Sequence, residues 1–151
     1  MSAKIVLDSF ALVSFFHKEP GWQKVKDLFY ELSAANQKAL LSRMNWGEFF
    51  YIVKRRVGKR KAEETLALLE QLPITILSVD DEIVKEAAEI KADYPVSYAD
   101  AFCIATARRS KGHILTNDPE FKSVQQLVTV DWLSEGRASA RRRKRADPAK
   151  P

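Results

Sequence analysis

Apolar positions along the first 130 residues switch between a spacing of two and a spacing of three to four. Ile5, Val6 and Leu7 form a short apolar run that stops at Asp8-Ser9, a pair that signals a helix start. Trp22, Val25, Leu28, Phe29 and Leu32 recur at helical spacing and predict an amphipathic helix over residues 21–35. Ala39, Leu40 and Leu41 give a second strand. A helix over residues 46–57 runs into the basic cluster Lys54, Arg55 and Arg56, followed by Gly58. Residues 62–72 read as another helix, stopped by Pro73. Ile74, Ile76 and Val79 alternate with Thr75 and Ser78 as a third strand. Asp80 then caps a helix that runs to about Ala92, and Pro95 ends that region. Residues 97–111 are helical with Gly112 as the C-terminal stop. Ile114-Leu115 make a fourth strand and residues 127–130 a fifth.

Short strands alternating with helices predict an α/β layer fold with a mainly parallel sheet in a single domain. There is no internal repeat. Beyond about Gly136 the chain turns to Arg, Lys, Ala, Ser and Pro without apolar periodicity. We therefore read one folded domain over residues 1–136 and a basic, disordered tail over 137–151.

Composition narrows the class. A chain of 151 residues that is 46% hydrophobic and 30% charged is long enough for one self-supporting core. No apolar stretch approaches the ~20 residues that span a bilayer. The N-terminus lacks a basic region followed by an apolar run and a small-residue cleavage site, so secretion by that route is not expected. With Cys103 as the lone cysteine, no internal disulfide can form. A cytoplasmic location without membrane attachment is expected. The net charge of +5 is unevenly held: residues 137–151 carry seven basic groups and one acid, leaving 18 basic and 19 acidic groups elsewhere. A near-neutral body with a local basic run points to a polyanionic partner touched by one region, or to a solvated tail.

Several chemistries are excluded. Two histidines, His17 and His113, and one cysteine cannot assemble a Cys/His zinc set. The five glycines form neither a dinucleotide fingerprint nor a Walker loop, and there is no G-x-S-x-G elbow. His17 reads as a surface turn residue and His113 as a structural one. What remains is acid. Asp8 follows the first strand and Asp118 the fourth, so both fall at the carboxyl edge of a parallel sheet, where ligands bind. Glu48 and Asp100 are placed in the first turns of helices that begin at the same edge. Each acid also has a structural reading. Asn45-x-x-Glu48 and Ser97-x-x-Asp100 resemble capping boxes, and Asp8 and Asp118 can serve as N-caps. Four carboxylates in one crevice would repel unless a cation neutralised them, and oxygen-only ligands select hard ions such as Mg²⁺ or Mn²⁺.

Local sequence sharpens this. Ile5-Val6-Leu7-Asp8-Ser9, Ala11-Leu12 and Asn45-x-Gly47-Glu48 with Tyr51 resemble the first half of a PIN domain of the VapC toxin type. Tyr98-Ala99-Asp100-Ala101-Phe102, Ile104-Ala105 and the run from Ile114 through Thr116, Asn117, Asp118, Pro119 and Glu120 to Phe121 are similar to its second half. The likeness covers residues 4–131. It implies a five-stranded parallel sheet flanked by helices and divalent-metal-dependent cleavage of RNA. By the same resemblance Asp8 and Asp100 are the main metal ligands, and Glu48 and Asp118 complete the cluster. Thr116 would orient water or the scissile phosphate. The resemblance further implies a cognate antitoxin and a homodimer. Lys54, Arg55, Arg56, Lys59, Arg60, Lys61 and the tail are the candidate phosphate contacts, with a solvated helix face as the alternative for the cluster. Competing readings are a PIN-like module that binds without cutting, a housekeeping RNA-processing nuclease and a receiver-type signalling domain. The last wants an acid pair after the first strand and a lysine after the last. Here Asp8 stands alone and Asp131-Trp132 follows Val130.

Overall fold

The computed structural model of the chain describes residues 3–134. The stretch 137–151, read above as a disordered tail, lies outside the described residues. The element order is β1 (Ile5–Leu7), α1 (Ser9–His17), α2 (Trp22–Ala34), β2 (Ala39–Ser42), α3 (Arg43–Val57), α4 (Lys59–Leu69), β3 (Ile74–Leu77), α5 (Asp81–Asp93), α6 (Tyr98–Ser110), β4 (His113–Thr116), a 3-10 turn (Pro119–Val124) and β5 (Val130–Trp132). Strands pair in the order β3-β2-β1-β4-β5 and every pairing is parallel. Among the described residues no helix is long and apolar enough to cross a membrane.

Strand alternation builds two cores, one on each face of the sheet. Val6 and Ile114 point to one side, where they pack with Ala87 and Ile90 of α5 and Phe102 and Ile104 of α6. Leu7, Leu41 and Leu115 point to the other, among Leu12 of α1, Val25 and Phe29 of α2, Phe49 and Val53 of α3 and Leu69 of α4. The period of two is thus read directly into a helix–sheet–helix sandwich. Helix α6 departs from amphipathicity: its residues from Asp100 to Ala107 are all buried. Ala101, Cys103, Ala105 and Ala107 keep its girth small between the sheet and α5.

The pattern locates the strands and helices α2 to α6, with shifts that have local causes; α1 is announced only by the start signal at Asp8-Ser9, and the 3-10 turn is not placed as an element. Helix α3 starts three residues before the apolar rhythm does, because Ser42 is its N-cap and accepts from Met44 N–H at 3.2 Å. The helix placed over 62–72 instead spans Lys59–Leu69. Gly58, at φ 88°, separates it from α3. The fifth strand lies at Val130–Trp132 rather than 127–130, since Leu127 N–H closes a turn on Val124 O and only Val130 onward pairs with β4. At the end of α6 the left-handed position belongs to Lys111 (φ 56°), not to Gly112. Glycine is needed at 112 for another reason: a Cβ there would lie 2.7 Å from the carbonyl oxygen of Lys4, where β4 enters the sheet beside β1. Gly112→Ala should therefore destabilise the fold by about 1–3 kcal/mol, the usual cost of forced overpacking, read as a lower urea midpoint at unchanged slope. A midpoint equal to that of the parent would show that the two strands part without cost.

Candidate functional site

The chain runs outward from β1 through β2 to β3, then returns to lay β4 on the other side of β1. That reversal opens a crevice beyond the carboxyl ends of β1 and β4. Leu7 is in register with Leu115, and the amide of Asp8 donates to Leu115 O at 3.3 Å, so the two strands deliver Asp8 and Thr116 side by side. Helices α3 and α6 begin at the same edge, one from each core. Asn45 of α3 donates its amide to Ala99 O of α6 at 3.1 Å, holding the two helix starts together.

All four acids singled out in the sequence meet here. Carboxylate oxygens of Asp8, Glu48 and Asp100 lie within 4.8 Å of one another, as do those of Asp100, Asp118 and Glu120. Asp100 belongs to both triads, so the crevice holds a continuous strip of five carboxyl groups. Asp8, Asp100 and Asp118 are buried, and Glu48 is half-buried. Glu120 is the member that sequence reading does not single out. It lies inside the quoted Asn117–Phe121 run, but next to Pro119 it reads as an ordinary first-turn acid.

The capping readings resolve differently at each position. Glu48 lies in the second turn of α3, not the first, and Ser42 rather than Asn45 caps that helix. Ser97 does cap α6, accepting from Asp100 N–H at 3.1 Å, but the return bond from Ser97 N–H goes to Glu120 at 3.0 Å. The Asp100 carboxyl is thereby left to the crevice. Asp8 occupies an N-cap position without making a side-chain cap bond. Asp118 is a true cap, accepting from Glu120 N–H at 3.0 Å. Hydroxyls orient the acids: Thr116 Oγ1 donates to Asp8 Oδ2 at 2.5 Å and accepts from Asp118 N–H at 2.9 Å, while Ser9 Oγ donates to Glu48. Asn45 is fully buried, and its Oδ1 finds no partner among the described residues.

Electrostatics follow from this crowding. Burial pushes the Asp100 carboxyl well above the usual carboxylate range, and the charges of Asp8 and Asp118 push it further. Burial also raises Glu48, partly offset by hydrogen bonds from Ser9 and Asn45. The Tyr51 hydroxyl is raised by partial burial and then by the charge of Glu48. The histidines lie elsewhere: His17 ends α1 against Arg56, and His113 faces Asp131 at 3.5 Å. The donor set fits a hard divalent ion. Oxygens sharing one octahedral Mg²⁺ at about 2.1 Å stand roughly 3–4 Å apart, and the oxygens of each triad lie within 4.8 Å of one another.

No curated protein sequence matches this chain. Solved structures do match in fold. VapBC2 from Rickettsia felis, bound to a DNA fragment from its promoter, is 14% identical with a TM-score of 0.66, over 85% of this chain and 97% of that one. A toxin–antitoxin complex from Klebsiella pneumoniae is 18% identical with a TM-score of 0.62, over 89% and 100%. Mycobacterium tuberculosis VapC20, a toxin that cleaves the sarcin–ricin loop, is 19% identical with a TM-score of 0.59, over 74% and 87%. The family model for the PIN domain matches residues 5–127. Sheet order, acidic crevice and family match coincide, and the chain belongs to the PIN domain family.

Proposed function

We propose that this chain is a divalent-metal-dependent endoribonuclease and the toxin of a toxin–antitoxin pair. The observation that carries the reading is the strip of five carboxyl groups, two triads sharing Asp100, at the switch point of a PIN fold. Structural likeness to VapBC complexes and to a toxin that cuts the sarcin–ricin loop supports it. Mg²⁺ or Mn²⁺ held in the crevice would activate a water, neutralise charge on the reacting phosphate and stabilise the departing oxygen. Asp8 and Asp100 are the main ligands in this reading, with Glu48 and Asp118 completing the set and Glu120 bracing Asp100. Thr116 spends its hydrogen on Asp8, so it fixes the direction of that carboxylate and meets water only as an acceptor. Its amide bond to Asp118 locks the β4 exit in the same posture. A cognate antitoxin and a second copy of the chain are the proposed protein partners, and the cytoplasm the proposed location.

Three outcomes test this reading. Purified protein should cleave RNA with Mg²⁺ or Mn²⁺ and stop in chelator. Losing an outer partner of a metal site costs about 10–100-fold, so Asp8→Asn or Asp100→Asn should lose roughly 100-fold or more. Full activity of both variants, or of the parent in chelator, would sink the assignment.

Stability should follow the raised carboxyls. An acid whose folded pKa lies above its unfolded value of about 4 stays protonated after the unfolded chain has ionised. Stability is therefore lost as pH rises through that window toward neutrality. In chelator the melting temperature should climb as pH is lowered from about 7 to about 5, and Asp100→Asn should remove most of that climb. Added Mg²⁺ should stabilise more at the higher pH, because its ligands must be deprotonated. A melting temperature indifferent to pH and metal would contradict the crowding.

The tail supplies the third test. Deleting residues 137–151 removes seven basic groups and should flatten the salt dependence of RNA binding, by about 0.7 in log–log slope for each phosphate of a single strand that the tail neutralises. An unchanged slope in a binding titration would assign phosphate binding to the Lys54–Lys61 region.

A further inference from the structure

Helix α3 carries three features along one face that the carboxylate strip does not use. Gly47 stands within the helix, where glycine costs stability relative to alanine, yet a Cβ built on it meets no atom within 4 Å. Packing inside the chain therefore does not require the glycine. Tyr51 follows four residues later, three after Glu48, and keeps 45% of its surface exposed. Arg55 follows four residues after Tyr51, with its guanidinium carbon 4.9 Å from the ring centroid. Residues three and four apart share a helix face, and helical side chains lean toward the N-terminus. Tyr51 therefore shares a helix face with Gly47 and Glu48, and Arg55 lies over its ring.

We propose that Gly47, Tyr51 and Arg55 form a shelf that stacks one unpaired base of single-stranded RNA beside the carboxylates, with Arg55 on the adjoining phosphate. This rests on the ribonuclease reading and adds the residues that grip the base next to the reacting phosphate. The charges favour this arrangement. Phosphates are repelled by the acid strip, whereas a base offers a neutral π-face that an exposed tyrosine can stack. The nearest phosphate is then met by Arg55, which leads into Lys54 and Arg56 in the last turn of α3. Bases in a duplex are already stacked and cannot reach such a ring.

The test is binding of a fluorescent single-stranded RNA of mixed sequence, followed by anisotropy with Mg²⁺ in an Asp100→Asn background, beside a cleavage assay of the parent chain on the same strand. Tyr51→Ala should weaken binding about 10-fold or more, Tyr51→Trp should hold it, and the annealed duplex should not distinguish them. Gly47→Ala should raise the melting temperature, as expected of helix propensity, and yet weaken binding, a pairing of effects that a purely structural role would not produce. If the parent cleaves the strand while Tyr51→Ala and Gly47→Ala bind as tightly as their background, the shelf is overturned and the ribonuclease reading stands. If the parent cleaves no RNA with either Mg²⁺ or Mn²⁺, both fall together.

Discussion

Five carboxyl groups in two close triads that share Asp100, several of them out of reach of water, are the strain around which this molecule is arranged. Each alone would cost several kcal/mol to bury in charged form, and each makes its neighbours harder to ionise. The scaffold keeps them together by leaving them little choice. Asp8 is fixed by a strand in register with its neighbour, and Asp100 by a helix buried along its length. Asp118 is fixed by the cap it makes for the 3-10 turn, and Glu120 by the amide of Ser97. Asp8 and Asp100 are placed by backbone alone, while Asp118 and Glu120 can still accept their amide bonds through one oxygen when protonated, though more weakly. The crevice can therefore be assembled with its acids partly protonated and still be in place when a cation arrives.

The site belongs to neither core. Glu48 comes from a helix packed on one face of the sheet and Asp100 from a helix packed on the other. They meet because both helices start at the carboxyl edge of the strands. The bond from Asn45 to the backbone at Ala99 is where the two layers are joined. A polar residue with no exposed surface is an expensive way to join two helices, and among the described residues its Oδ1 finds no partner.

How much of this can be read from the sequence depends on the range of each signal. Local periodicity places β1, α2, β2, α5 and β4 within a residue or two, because each buries one face and the spacing records which. It fails where burial and secondary structure part company. Leu127 and Val128 are apolar because they cover the core beneath a turn, so the apolar run sets the fifth strand too early. Ser42 caps α3 ahead of Arg43 and Met44, which carry no core rhythm, so periodicity starts that helix too late and assigns Glu48 to the wrong turn. The acids themselves are legible from position relative to strand ends together with the local motif. Glu120 is not, since its partner Ser97 is 23 residues away and only the folded chain brings them together. Asn45 reads as a cap, whereas its role is a tie to a helix that sequence order places far downstream.

A near-neutral body must still admit a polyanion, and α3 resolves the conflict by spacing. From Glu48 to Arg55 the helix advances about 10 Å at 1.5 Å per residue, close to the Debye length of about 8–10 Å in physiological salt. At about one Debye length salt weakens the interaction between the exposed basic end and the acid end without abolishing it, so each end keeps part of its own pull on a phosphate or on a cation. The negative end of the helix dipole favours the basic side chains of the last turn themselves. One helix thus presents opposite charge to a strand and to a metal without either cancelling the other. This is why the net charge of the domain, close to zero, says so little about what it can hold.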